Sequence, residues 1–221
     1  MILEVDNIEL NYSDKNILKG VYLKAEIGKV TGLLGHNGSG KSSLLHIIFG
    51  SIAPKYKLIR IDKKPILRKL YTSRLVYLCS QKQSIPSFMK LKKVFRFLKL
   101  DWNTFIEKFP QFEKYRNSYP SKLSGGELQV VEIYLALLSN RPIVLLDEPF
   151  MHIAPLYVEQ MKEIINEQKH SKAIILTDHH YESVIDVTDD LYLLKNGSTK
   201  KINQLTDLED YGYLPNGIIS E

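Results

Sequence analysis

Gly35-His-Asn-Gly-Ser-Gly-Lys-Ser42 constrains this chain more than any other stretch of it. The run fits G-x-x-x-x-G-K-[ST], follows the apolar residues 30–34 and precedes residues 42–49, which are spaced as a helix ending near Gly50. A strand that enters a helix through a glycine-rich turn makes a phosphate cradle. Gly35, Gly38 and Gly40 let the backbone curl close to phosphate oxygens, where a Cβ would clash. The curled N–H groups, with those of His36, Asn37 and Ser39 among them, form an anion nest at a helix N-terminus. Lys41 is placed to reach the β- and γ-phosphates, Ser42 to ligate Mg²⁺ and Ser43 to donate to phosphate. Residues 35–43 are therefore expected to hold a nucleoside triphosphate.

The remaining pattern supplies the rest of such a site. Residues 2–5, 8–12, 21–27 and 30–34 alternate as short strands, with turns at 13–16 and 28–29. Residues 58–62 and 74–78 read as further strands. From 87 to 119 the strand pattern disappears, and aromatic and basic residues alternate at helical spacing between proline breaks. After Pro120 helices at 126–140 and 156–168 alternate with buried strands at 143–146, 173–177 and 191–194, and Asn196-Gly197 marks a tight turn. Alternation of this kind implies a mostly parallel sheet covered on both faces. The strand 143–146 runs into Asp147 and Glu148. A parallel strand points its C-terminal end into the crevice that holds the phosphate loop. There Asp147 would hold Mg²⁺ through water and Glu148 would polarise the attacking water. An ordinary acidic helix cap is the competing reading of that pair.

A third motif narrows the field. Leu123-Ser-Gly-Gly-Glu127 opens a helix and offers a second anion-binding N-terminus, from Ser124, Gly125, Gly126 and Glu127. The motif resembles the signature of ATP-binding cassette (ABC) proteins, and the resemblance covers nearly the whole chain. It implies an α/β fold: a P-loop NTPase core with a mostly parallel sheet, an N-terminal antiparallel β subdomain and an inserted helical subdomain. The core would be 1–82 and 121–195, the lobe 83–120 and the C-terminal tail 196–221. ATP and Mg²⁺ would be the ligands. Two copies would pack head to tail, each signature covering the nucleotide of the other. By the same resemblance Tyr12 stacks on adenine, although a lone tyrosine is also a common core residue. Gln81 contacts Mg²⁺ and links core to lobe, with Gln83 as competitor. His179 contacts the γ-phosphate, with His180 as runner-up and a structural cap as the bland reading. Lys41, Gln81, Glu148 and His179 form the catalytic set, and Ser42, Gln81 and Asp147 hold the metal. The chain departs from the family pattern at Ala154, where an Asp usually couples the two sites. It also lacks a basic residue near Gln129. Its Ala-Pro loop resembles that of branched-chain amino-acid importers and its Thr-Asp-His run that of lipopolysaccharide exporters, so no substrate follows; a lean toward export rests on analogy.

Composition sets the limits. The 221 residues are 44% hydrophobic and 25% charged, enough for one domain with a sizeable core. No run approaches the roughly 18–20 apolar residues of a membrane span, and the first ten residues lack the pattern of a signal peptide. A single cysteine, Cys79, excludes an internal disulfide. The expected place is the cytoplasm, against the inner face of the membrane through separate permease subunits, whose short helices would enter the groove between core and lobe. The net charge of +5 is too mild to imply nucleic acid as a partner. Basic residues crowd 82–99, with Lys90, Lys92, Lys93, Arg96 and Lys99. They read as a solvated helix face or as a patch beside lipid headgroups. A soluble ABC ATPase acting on ribosomes or DNA, and a non-hydrolysing regulatory module, are the alternatives; the first lacks its usual second cassette, and the intact Lys41, Asp147, Glu148 and His179 speak against the second.

Overall fold

The computed structural model describes residues 1–12, 15–179 and 181–219. Part of the expected turn at 13–16 and the runner-up His180 lie outside them. The chain begins with two long antiparallel strands, β1 (Ile2–Tyr12) and β2 (Lys15–Glu26), which join β4 (Tyr56–Ile61) and β5 (Lys64–Pro65) in a sheet of order β2-β1-β4-β5. Residues 2–5 and 8–12 are one strand, not two. Val5 and Ile8 are both fully buried, although a simple two-residue period would put them on opposite faces. The register shifts between them, with Asn7 at φ 49°, and this bulge returns Ile8 to the inner face.

The second sheet has the order β10-β9-β3-β8-β7-β6. Its members are β3 (Val30–Leu34), β6 (Val76–Cys79), β7 (Ile143–Asp147), β8 (Ala173–Thr177), β9 (Asp190–Lys195) and β10 (Ser198–Ile202), and only β10 runs antiparallel to its neighbour. The apolar runs of the central strands follow from burial on both faces. Val144 and Leu146 of β7 face a core shared with the helices, while Ile143 and Leu145 face the core beneath the antiparallel sheet. Residues 74 and 75 precede β6 because Arg74, at φ 59°, closes a 3₁₀ turn.

Helix α1 (Lys41–Phe49) follows β3, ends on Gly50, and packs on the second of these cores. Between β6 and β7 lie α2 (Leu91–Phe97), α3 (Trp102–Lys108), 3₁₀ turns at Pro110–Tyr115 and Pro120–Lys122, and α4 (Gly125–Leu138). The aromatic residues of this region form one buried cluster. Phe95 meets Trp102 at 4.9 Å between ring centres, and Phe105 meets Tyr134 of α4 at 4.8 Å. Burying several aromatic rings in so short a stretch is what lets helices of seven residues persist. Their basic neighbours Lys92, Lys93, Arg96 and Lys99 remain exposed.

Helix α5 (Pro155–Gln168) connects β7 to β8, and α6 (Tyr181–Ile185) precedes β9. The last segment departs from a short polar tail. After β10 the chain forms α7 (Asp207–Asp210), and Leu208 and Leu214 are buried in the main core. Two anchoring leucines separated by polar residues are too sparse a pattern to read as a packed element. Among the described residues no helix is long and apolar enough to cross a membrane.

Candidate functional site

The C-terminal ends of β3, β7 and β8 lie side by side, with Leu33 opposite Thr177 and Asp147 opposite Thr177 on the two flanks of β8. Everything that follows these strands converges at one edge of the sheet. A cleft of about 530 Å³ opens there, lined by Tyr12, Ile17, Asn37, Gly38, Ser39, Gly40, Lys41, Ser42, Ser43, Gln81, Glu148 and Met151. Tyr12 is half exposed on this cleft and is not a core residue. Gln81 lines it, whereas the Gln83 side chain turns away and donates to the Ile85 carbonyl at 2.9 Å.

Gly35 leaves β3 so close to the neighbouring strand that a Cβ would lie 2.8 Å from the Leu194 carbonyl oxygen. Gly40 caps α1 at φ 106°, a conformation L side chains rarely adopt. His36, Asn37 and Gly38 form the exposed crest of the loop, and Ser39 donates its amide to the His36 carbonyl at 3.1 Å. Lys41 is almost wholly buried, and its Nζ donates to the Gly35 carbonyl at 2.7 Å and to that of His36 at 3.4 Å. Desolvation pushes its pKa down, opposed by the charges of Glu148, Asp147 and Asp178.

Ser42 and Asp147, expected from sequence as metal holders, touch: the serine hydroxyl donates to Asp147 Oδ1 at 3.0 Å. Thr177 Oγ1 donates to the same oxygen at 2.9 Å, so the carboxylate is fixed from two strands and one helix. Oxygen donors of this kind suit Mg²⁺. Among the described residues no cluster of three or more His, Cys, Asp or Glu could hold a metal. An ion at Ser42 and Asp147 would take its other ligands from phosphate, water and Gln81, which lines the same cleft.

Glu148 is buried with a left-handed backbone at φ 50°, a strained conformation for a non-glycine residue. Hydrogen bonds hold it there, its amide donating to the Thr177 carbonyl at 2.8 Å. Its Oε1 lies 3.9 Å from Lys41 Nζ and 3.7 Å from His179 Nδ1. His179 thus reaches the same carboxylate from β8, with its own amide donating to Asp178 Oδ1 at 2.7 Å.

The structure does not bring Ser124, Gly125, Gly126 and Glu127 to this cleft. They open α4 with a capping box: Ser124 Oγ accepts from the Glu127 amide at 3.2 Å, and Glu127 Oε2 accepts from the Ser124 amide at 2.8 Å. Glu127 Oε1 also accepts from the Tyr115 hydroxyl at 3.0 Å. Burial alone would raise the Glu127 pKa, but the Ser124 and Tyr115 bonds hold it below the ordinary value. The Glu127 carboxylate is engaged within its own chain as a cap and as a tie to the 3₁₀ turn. Ser124 and Gly125 are exposed. A Cβ on Gly126 would lie 2.4 Å from the His152 carbonyl oxygen, so the signature rests directly on the loop after Glu148. Ala154 caps α5 with no side-chain acceptor.

Sequence reasoning missed three participants. Thr177 looks like one more strand residue until its hydroxyl is seen on Asp147. Glu132 is buried on α4 and accepts from Ser84 N at 2.5 Å, Ser84 Oγ at 2.9 Å and Ile85 N at 3.0 Å, clamping the segment that follows Gln81. A lone acid inside the apolar run 130–138 was the available signal. Tyr213 reaches the phosphate loop from the tail and carried no signal.

The family model described as ABC transporter matches residues 18–151. A probable sulfate/thiosulfate import ATP-binding protein of Chlorella vulgaris is 26% identical over 96% of this chain and 94% of its own length. A solved ATP-binding subunit of an ABC transporter superposes with a TM-score of 0.81 at 25% identity, over 100% of this chain and 97% of that one. A dimeric post-hydrolysis state of an ATP-binding cassette bound to ADP and Pi superposes at 0.74 and 20% identity, over 91% of this chain and 99% of that one. The family model spans more than half of the chain, on a fold and a cleft built as that family's sequence pattern requires, and this chain therefore belongs to the ABC transporter family.

Proposed function

We propose that this chain is the ATP-hydrolysing subunit of a membrane transporter and works as one of two head-to-tail copies. The observation that carries the reading is the division of the site. Residues 35–43, Asp147, Glu148 and His179 converge at one cleft, while the signature, which also opens a helix N-terminus, lies exposed elsewhere on the same chain. A second copy would supply Ser124, Gly125 and Gly126 to the outer side of the bound nucleotide.

In this arrangement Tyr12 stacks on the adenine and the loop amides take the phosphates. Lys41 leaves its carbonyl partners for the β- and γ-phosphates. Bound Mg²⁺, held by Ser42 and, through water, by Asp147, with Gln81 at its edge, would neutralise charge that develops on the phosphates. Glu148 orients the attacking water and accepts its proton, and His179 holds the γ-phosphate from the β8 side. Closing of the two copies on ATP, and their opening after hydrolysis, would move separate membrane subunits. The exposure of Phe88 and Phe97 on the lobe, 78% and 77%, supports a docking surface there for those subunits. This places the chain on the inner face of the membrane, carried there by its partners.

The test is isolation from detergent-solubilised membranes. The reading expects the chain to co-purify with a multi-span membrane protein, and the complex to hydrolyse ATP only with Mg²⁺ present. Absence of Mg-dependent hydrolysis in that complex would overturn the enzymatic part, and recovery without a membrane protein would overturn the transporter part.

A further inference from the structure

The C-terminal segment takes no part in the assignments above, yet it reaches the site. Beyond β10, Leu208 and Leu214 anchor it in the main core, and Lys195 Nζ donates to the Tyr211 carbonyl. The Glu209 carboxylate accepts the Ile219 amide at 2.7 Å and closes the segment on itself. Tyr213 projects from between these anchors toward the phosphate loop. Its ring centre lies 5.0 Å from that of His36, with the planes tilted by 38°. Its hydroxyl donates to the His179 carbonyl at 3.3 Å and lies against the Gly35 amide.

One side chain therefore touches two loops that leave adjacent strands, β3 and β8. Those loops carry Lys41 and His179, which approach Glu148 Oε1 to 3.9 and 3.7 Å. A tyrosine suits this place: the ring packs and the hydroxyl bonds, so one rigid group fixes both loops at once. We propose that Tyr213 is a positioning residue for hydrolysis, its ring holding His36 and its hydroxyl setting the His179 backbone, so that the tail fixes the spacing between phosphate loop and switch histidine. Preorganised groups cost no rearrangement at the moment of reaction. Misplacement by 1 Å can cost about 10²-fold in rate, which sets the ceiling for the effect.

The inference rests on His179 acting at the γ-phosphate, and the test separates the two ideas. Tyr213→Phe keeps the ring and removes the hydroxyl. In the full chain it is expected to lower kcat by roughly tenfold, within the ceiling above. KM for ATP should change little, because the phosphate loop keeps its packing, and the melting temperature should fall by no more than a few degrees. Tyr213→Ala should raise KM as well. In a His179→Ala background Tyr213→Phe should have no further effect, as expected of a residue that acts through another. Hydrogen exchange, which needs no turnover, should rise in Tyr213→Phe for peptides covering 175–179, and in Tyr213→Ala for those covering 35–43 as well. Wild-type kcat in Tyr213→Phe, an equal fractional loss in both backgrounds, or unchanged exchange at 175–179 in Tyr213→Phe would overturn the positioning role. Wild-type turnover in His179→Ala would overturn the role of His179 itself, and the inference with it.

Discussion

At the scale of single residues the site is costly to maintain. Lys41 is buried among its own loop carbonyls, and desolvation disfavours its charged form. Lys41→Met removes that cost. The variant should melt a few degrees higher without nucleotide, at roughly 2–4 °C for each kcal/mol relieved in a chain of this size, while losing roughly 10²–10³-fold in ATPase rate. The pH dependence has a definite sign. A lysine whose folded pKa is depressed binds its proton more tightly when unfolded, so its contribution to stability rises as pH climbs from the folded value toward 10.5. Denaturant titrations across alkaline pH should show that rise in wild type and a smaller one in Lys41→Met. Gly126 is a second exacting position. Gly126→Ala puts a Cβ 2.4 Å from the His152 carbonyl oxygen, and backbone cannot yield as a flexible side chain would. The loop after Glu148 must shift, so ATPase should fall by about tenfold or more while titration of ATP onto the nucleotide-free monomer gives the wild-type affinity. Equal ATPase rates would show that the loop absorbs the methyl group.

Elements explain how much of this could be read in advance. The central strands were readable because burial on both faces leaves an unbroken apolar run, as in residues 143–146. The phosphate loop and Ser124–Glu127 were readable because backbone demands on glycine and a helix cap fix residue types at fixed spacing. What failed was whatever depends on contacts distant in sequence. The bulge in β1 is set by the need to bury both Val5 and Ile8, which no local pattern announces. The Thr177 hydroxyl on Asp147 joins residues 30 positions apart, and the tail folds because of where Leu208 and Leu214 land. Glu132 belongs to this group too. Its carboxylate accepts three hydrogen bonds from residues 84 and 85, and Glu132→Ala leaves the buried Ile85 amide unmatched while the exposed Ser84 donors turn to water, at about 1–3 kcal/mol. The variant should melt lower by the same proportion of degrees and exchange faster in peptides spanning 82–86. Unchanged exchange there would mean that the segment after Gln81 is held by other contacts. Ala154, which supplies no acceptor to the start of α5, leaves that helix end without the side-chain cap that Asp would bring.

For the whole molecule, the proposed function makes the site half of one. The cleft holds the phosphate loop, Gln81 and Glu148, and the signature that opens α4 lies outside it, its Glu127 occupied within the same chain. On the function proposed above, binding can proceed on one copy, whereas efficient hydrolysis needs two. The tail belongs to the same proposal: Tyr213 contacts both His36 of the phosphate loop and the His179 carbonyl, and would tie the two loops of one copy together before a second copy arrives. Replacing Glu148 by Gln keeps shape and hydrogen bonding but removes the charge that orients and deprotonates water, so ATP stays bound and the closed pair should persist. The decisive measurement is the solution mass of Glu148→Gln with saturating ATP and Mg²⁺. The account predicts a species of twice the 25.5 kDa chain mass, present with ATP and absent with ADP; a strictly monomeric mass in saturating ATP would contradict it.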